Sequence, residues 1–357
     1  MRHYNFGVEI ESIGKPYGGG ESFTNVDWYR QLAQKLQNRG IEAVHDDCSR
    51  YSKHPEYYGG KWFVTRDGSL KRPRPYGSSQ RTPKRRLPPY NILTLQVVCM
   101  EVVSPRLDTT LHLTRILSDF WEAMRVHFNP QKDQSCGGHV HVTPVSRKNK
   151  FKLRTLRQIA FASIAYEDFM WSMLPPARRE NQYCKLNSQS SGSGVCETLA
   201  WGKSTSSLKQ VASEIKALRS ETDIYMYMQG NRYVLWNFQN IFPHPKTGRC
   251  TGTVEFRGGN QFLGTKGTLA WVAFVLGFIT LATKEVGAPP SSSSLSSFVL
   301  CKGSEEEQVE QASSRRLQED EDEVVTQQTT RRNNHSAFQE ETATEICVQC
   351  IRTAIII

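Results

Sequence analysis

Three short stretches of this chain place polar, chemistry-bearing residues two positions apart inside runs of strand-forming residues: Glu9-Ile-Glu11, His139-Val-His141 and Glu255-Phe-Arg257. Side chains alternate across a β-strand, so residues i and i+2 share a face. Each stretch therefore reads as a strand with one apolar face and one face carrying ionisable groups. Two carboxylates side by side on such a face repel each other unless a cation intervenes. Hard divalent ions bind carboxylate oxygens best.

Other stretches fit the same pattern. Glu101 closes a very apolar strand, LTLQVVCMEVV, where a carboxylate is costly unless paired or metal-bound. Asp67 stands in Trp62–Leu70 at an Asp-Gly turn. The glycines of Cys136-Gly-Gly-His139 permit close backbone approach to a ligand, and imidazole either binds a metal or contacts phosphate. Arg257 beside Glu255 offers a planar, permanently charged fork for a phosphoryl group. Arg232 and Tyr233, with Asn237 further on, sit at the start of a further strand and are suited to an anionic substrate. Each signal has a bland counterpart: a solvated edge, a surface ion pair or a core histidine. Their combination is what a polymetal, phosphate-handling site requires.

Strands are expected over Tyr4–Ser12, Ile41–Val44, Trp62–Val64, Leu93–Val103, Val140–Val145, Arg232–Phe238 and Thr251–Arg257. Helices are expected over Asp27–Gln37, Leu111–His127, Phe151–Leu174, Ser206–Arg219 and Lys266–Glu285. There is no regular strand–helix–strand rhythm. That favours an α+β fold with a largely antiparallel sheet over a doubly wound one. The chain has 357 residues, 38% of them hydrophobic, enough for a substantial core. The character changes at Gly287: residues 288–297 are APPSSSSLSS, and residues 303–345 are polar and charged. A domain over 1–287 and a low-complexity, disordered tail over 288–357 are expected. Residues 71–90, KRPRPYGSSQRTPKRRLPPY, read as a basic, Pro-rich insertion.

No signal peptide is visible at the start, and the longest clean apolar stretch, 269–282, is short for a membrane span and reads as a buried helix. Nine scattered cysteines without a leader point to reduced thiols and a cytoplasmic location. Cys347-Val-Gln-Cys350 has metal or redox spacing but no partner pair. The net charge of +10 suits phosphates as well as nucleic acid. A nucleic-acid reading would rest on Lys71, Arg72, Arg74, Lys84, Arg85 and Arg86, with only Tyr76 and Tyr90 for stacking, and is disfavoured.

Taken in order, FGVEIE, WFVTRDGSL, MEVVSP, CGGHVHV, NRY and VEFRGGN resemble the amidoligase family, itself similar to the glutamine synthetase and glutamate–cysteine ligase superfamily. The likeness covers residues 4–285. It implies a curved antiparallel sheet forming a funnel, with ATP entering one end and substrates the other, around two or three magnesium or manganese ions. By this resemblance Glu9, Glu11, Asp67, Glu101, His139 and Glu255 are metal ligands. Arg257, with His141, contacts ATP phosphate. Arg232 is catalytic or substrate-binding, and Tyr233 and Asn237 face the substrate. The implied activity is ATP-dependent joining of a small-molecule or peptide carboxylate to an amine through an acyl phosphate. The basic insertion and the tail depart from the family pattern. The competing readings are a metal-dependent hydrolase that needs no ATP, a nucleic-acid-binding protein and a catalytically inactive relative.

Overall fold

The computed structural model describes residues 4–17, 23–46, 60–70, 97–109, 112–146, 149–243, 248 and 250–284. Two compact units divide the chain, residues 1–276 and 277–357, and the second is described only over 277–284. The basic insertion, the polar tail and Cys347–Cys350 lie outside the described residues, as do the lysines and arginines of the nucleic-acid reading.

The first unit is α+β. Its described strands are β1 (Tyr4–Pro16), β2 (Ala43–His45), β3 (Trp62–Thr65), β4 (Val98–Val103), β5 (Leu107–Asp108), β6 (Phe128–Gln131), β7 (Gly137–Pro144), β8 (Trp236–Asn237) and β9 (Val254–Asn260). They form one open sheet in the order β2-β3-β4-β1-β7-β9-β8, with β5 and β6 also paired to β1. Every pairing is antiparallel except β2 with β3.

β1 is the central strand because its pattern serves both faces. Val8 and Ile10 point to one face, Glu9 and Glu11 to the other. On the apolar face the register aligns Trp236, Phe256, Val140 and Val8 in one row, and Val64, Val102 and Ile10 in another. All seven are at most 1% exposed. Burying a side chain of this size contributes about 1.5–3 kcal/mol, so the rows lock the strand register. A slip of one residue would bring every carboxylate into the core.

Helices α1 (Asn25–Gln37) and α2 (Leu113–His127) supply apolar stripes of their own. In α1 a capping box between Thr24 and Asp27 satisfies the first turn, and Trp28, Tyr29, Leu32, Ala33 and Leu36 are buried. In α2 the stripe is Leu117, Phe120, Trp121, Ala123 and Met124. Phe120 stacks on Trp62 of β3 at 4.4 Å between ring centroids. Helix α9 (Thr265–Lys284) begins in the first unit, where Thr268 accepts from Trp121 Nε1 at 3.1 Å and Trp271 stacks on Phe256. It matches the helix expected over Lys266–Glu285, and by length and composition alone its 20 residues are long and apolar enough to cross a membrane.

The segment between β7 and β8 is helical: α3 (Leu153–Ala165), α4 (Glu167–Met173), α5 (Pro176–Arg179), α6 (Gly194–Thr198), α7 (Thr205–Ala217) and α8 (Glu221–Met228). The single helix expected over Phe151–Leu174 is two. Tyr166 leaves the helical region at φ −100°, ψ 13°, and Glu167 after it is fully buried. Glu167 takes Ser188 N–H at 3.1 Å and Lys203 Nζ at 3.3 Å. Apolar residues continue through the break, so periodicity could not reveal it.

The strand expected over Arg232–Phe238 shrinks to Trp236–Asn237. Buried Asn187 competes for its backbone, donating to Trp236 O at 2.8 Å and accepting from Trp236 N at 3.0 Å. The strand expected over Thr251–Arg257 runs instead over Val254–Asn260. Strands β5 and β6 and helices α5, α6 and α8 were not anticipated; each is short or lacks a clean apolar period.

Candidate active site

The polar face of the sheet gathers nearly every ionisable residue that the sequence singled out. Glu9 is cross-strand from His139, Glu11 from Glu101, and Glu255 from both His141 and Asn237. Thr65 of β3 continues the row beyond Glu101. Asp67 follows β3 and is turned by its own side chain, which accepts the Ser69 N–H.

Two groups of ligand-type side chains result. In the first, one atom each from Glu9, His141 and Glu255 lies within 4.8 Å of the others; in the second the same holds for Glu11, Asp67 and Glu101. His139 stands between the groups, with Nδ1 2.9 Å from Glu9 Oε2 and 3.5 Å from Glu255 Oε1, and Nε2 3.7 Å from Glu11 Oε1. Much of the site is buried: Glu11, Glu101, His139 and Glu255 are each at most 4% exposed.

Charge compensation is uneven. Burial alone would raise the Glu9 carboxyl, but His141 and His139 hold it well below the usual carboxylate range. Burial would likewise raise Glu255, and Arg257 and His141 lower it. Burial works against a charged His141, yet Glu255 and Glu9 raise its pKa above that of ordinary imidazole. Arg257 Nη1 donates to Glu255 Oε1 at 2.5 Å, and its Nε donates to Tyr183 O at 3.2 Å. Its Nη2 makes no hydrogen bond among the described residues. Asn237 Nδ2 donates to Glu255 Oε2 at 2.6 Å, and the Gly137 amide donates to Glu11 Oε2 at 2.6 Å.

Glu9, Glu11, Asp67, Glu101, His139, His141, Glu255, Arg257 and Asn237 are thus brought together. Arg232 and Tyr233 are not within this cluster. Both are exposed, with Arg232 over the Tyr233 ring at 5.4 Å and Tyr233 edge-on to Tyr183. Since Tyr183 O accepts from Arg257, the pair stands one residue away from that arginine.

Sequence reasoning missed Gly137 as a donor, Gln229 and Arg178. Gln229 is buried and orients Asn237 by donating to its Oδ1 at 2.7 Å. Arg178 is buried against Gly137. Neither carried a signal: Gln229 ends a helix that was not anticipated, and nothing in Pro-Pro-Ala-Arg178-Arg179 separates the buried arginine from its neighbour.

Residues 2–279 match the protein family described as "Putative amidoligase enzyme". The chain belongs to the amidoligase family. Neither the curated proteins nor the solved structures contain a match to this chain. The family carries a ligase activity by its description, and the matched region spans every strand and every ionisable residue of the site just described.

Proposed function

We propose that this amidoligase is an ATP-dependent carboxylate–amine ligase, and that its sheet forms one wall of a funnel of the glutamine synthetase type. The carrying observation is the pair of adjacent ligand groups, Glu9/His141/Glu255 and Glu11/Asp67/Glu101, with Arg257 at their edge.

The donor sets fit divalent cations. Five carboxylates (Glu9, Glu11, Asp67, Glu101, Glu255) converge on a largely buried face where the described counter-charges are fewer. Such clustering is unfavourable unless cations occupy it. Oxygen donors in the second group suit magnesium or manganese, and the imidazole of the first still admits manganese. Bound there, such ions would neutralise phosphate charge and align the transferring group.

The chain's own residues do the rest. Arg257 is held by Glu255 and by Tyr183 O, leaving Nη2 for an oxygen of the γ-phosphoryl group. The substrate carboxylate attacks the γ-phosphorus, giving an acyl phosphate and ADP. An amine then attacks the acyl carbon, loses a proton and expels phosphate. The low exposure of the site limits competing hydrolysis. Arg232 and Tyr233, at the rim, are suited to the anionic end of a small-molecule or peptide acid. An activity that consumes ATP fits the cytoplasm.

Thermal unfolding with and without magnesium and ATP tests this reading. A ligand that binds only the native state raises apparent stability by mass action. A magnesium-dependent rise with ATP, absent in Arg257→Ala, is expected, followed by ADP release on addition of an acid–amine pair. Stabilisation by metal alone, with nothing added by ATP, would sink the ligase reading in favour of a hydrolase.

A further inference from the structure

Arg178 lies in the short helix α5, 2% exposed. A buried guanidinium is expensive unless an anion offsets it. Among the described residues no carboxylate lies within ion-pair distance of it, and its buried Nε has no hydrogen-bond partner. Its Nη2 donates to Arg257 O at 2.5 Å. Its other side-chain partner is the Cys184 thiol, which burial keeps protonated. A neutral carbonyl and a neutral thiol do not balance a buried cation.

Its position is specific. A Cβ on residue 137 would lie 2.8 Å from Arg178 Nη2 and 2.9 Å from Nη1, so glycine here lets the guanidinium lie directly against the strand. Residue 137 has the parity of His139 and His141 on β7, which puts that space on the ligand-bearing face. The Gly137 amide meanwhile holds Glu11. The guanidinium therefore adjoins the Glu11 end of the second ligand group. Arg257, at the first group, already has Glu255 as its counter-ion.

We propose that Arg178 is a second oxyanion-binding arginine of the site, its counter-charge supplied by substrate, either a phosphoryl group or a carboxylate. Its planar fork matches both, and the structure offers it no other anion among the described residues. The inference rests on the ligase reading above and adds a residue to it.

Isothermal titration of the full chain in magnesium tests it. The probes are a non-hydrolysable ATP analogue, inorganic phosphate with ADP, and glutarate, against wild type, Arg178→Lys and Arg178→Ala. The lysine variant keeps the charge but loses the fork. The alanine variant is titrated with and without low-millimolar guanidinium chloride. The expected result is affinity about 10- to 100-fold weaker for one probe class in Arg178→Lys, with guanidinium restoring part of the loss in Arg178→Ala. Loss on the phosphate-bearing probes assigns a phosphoryl group, and loss on glutarate assigns a carboxylate. Either supports the proposal. If Arg178→Ala does not fold, the lysine variant decides alone.

Unchanged affinities in Arg178→Lys, with wild type binding the ATP analogue, overturn the proposal and leave the ligase reading standing. An equal loss for every probe, without guanidinium rescue, marks a purely structural arginine and also overturns it. Failure of the wild type to bind any probe overturns both.

Discussion

Glu255 and Arg257 share a face of β9 and close on each other at 2.5 Å, while the second oxygen of Glu255 takes the Asn237 amide at 2.6 Å. Both oxygens of this carboxylate are engaged, so it is held in one orientation toward Glu9 and His141. Removing the charge at Glu255 leaves Arg257 buried without its anion. Glu255→Gln is expected to abolish the magnesium-dependent rise in melting temperature with ATP and to lower ligase turnover at least ~100-fold. A thermal-shift series and an ADP-release assay check both.

Glu101 presents the opposite balance. It is fully buried, and it shares its group with Glu11 and Asp67. Without metal the three carboxylates oppose one another. Glu101→Gln is expected to leave metal-free stability unchanged or raise it by about 1 kcal/mol, while removing stabilisation by magnesium. Urea unfolding with and without magnesium separates the two. A large loss of metal-free stability would show that other contacts of Glu101 outweigh the repulsion among the three.

Gly138 lies under the Phe262 ring, which a Cβ there would penetrate, and Phe262 is 1% exposed. The ring cannot retreat without opening the core beside it. Gly138→Ala is expected to cost about 1–3 kcal/mol, read as a lower urea midpoint at unchanged slope.

Asn187 makes three hydrogen bonds that tie β8 to the end of α8: to Met228 O at 3.1 Å, to Trp236 O at 2.8 Å and from Trp236 N at 3.0 Å. Asn187→Ala removes all three of these buried hydrogen bonds. A loss of about 2–3 kcal/mol in urea unfolding is expected. Ligase activity should fall as well, because β8 carries the Asn237 that orients Glu255.

The helical segment carries a pH-dependent tie. Burial would raise Glu214, but hydrogen bonds from Thr198 at 2.6 Å, Tyr227 at 2.7 Å and Gln210 at 2.9 Å lower it. A depressed folded pKa means that the unfolded chain binds the proton more readily. The stabilisation is therefore complete above the unfolded value, about 4.3, and is lost as pH falls through the folded one. Wild type and Glu214→Gln should differ in stability at pH 7, and the difference should shrink as pH falls below about 4.3 in urea titrations. A difference that stays constant across that range would contradict this assignment.

The legible part of the fold was local. The apolar stripe of α1, with its Thr24 cap, and the strand containing Glu9 and Glu11 follow from periodicities of three to four residues and of two. The illegible part depended on partners far along the chain. Tyr166 breaks a helix because Glu167 is captured by Lys203 and Ser188, and β8 is cut to two residues because Asn187 takes its backbone. A hydrophobic period continues through both points.

The same division holds for the site. Sequence alone determined that Glu9 with Glu11, His139 with His141, and Glu255 with Arg257 each share a face, because alternation is a property of the extended backbone itself. Only the tertiary structure decided that Glu11 meets Glu101, that His141 meets Glu255, that Arg232 stays exposed outside the cluster, and that Arg178 reaches a carbonyl 79 residues away to lie over Gly137. Those encounters depend on strand order and on which glycine leaves room for a side chain. Both are set by packing of the whole sheet rather than by any residue's neighbours in the chain.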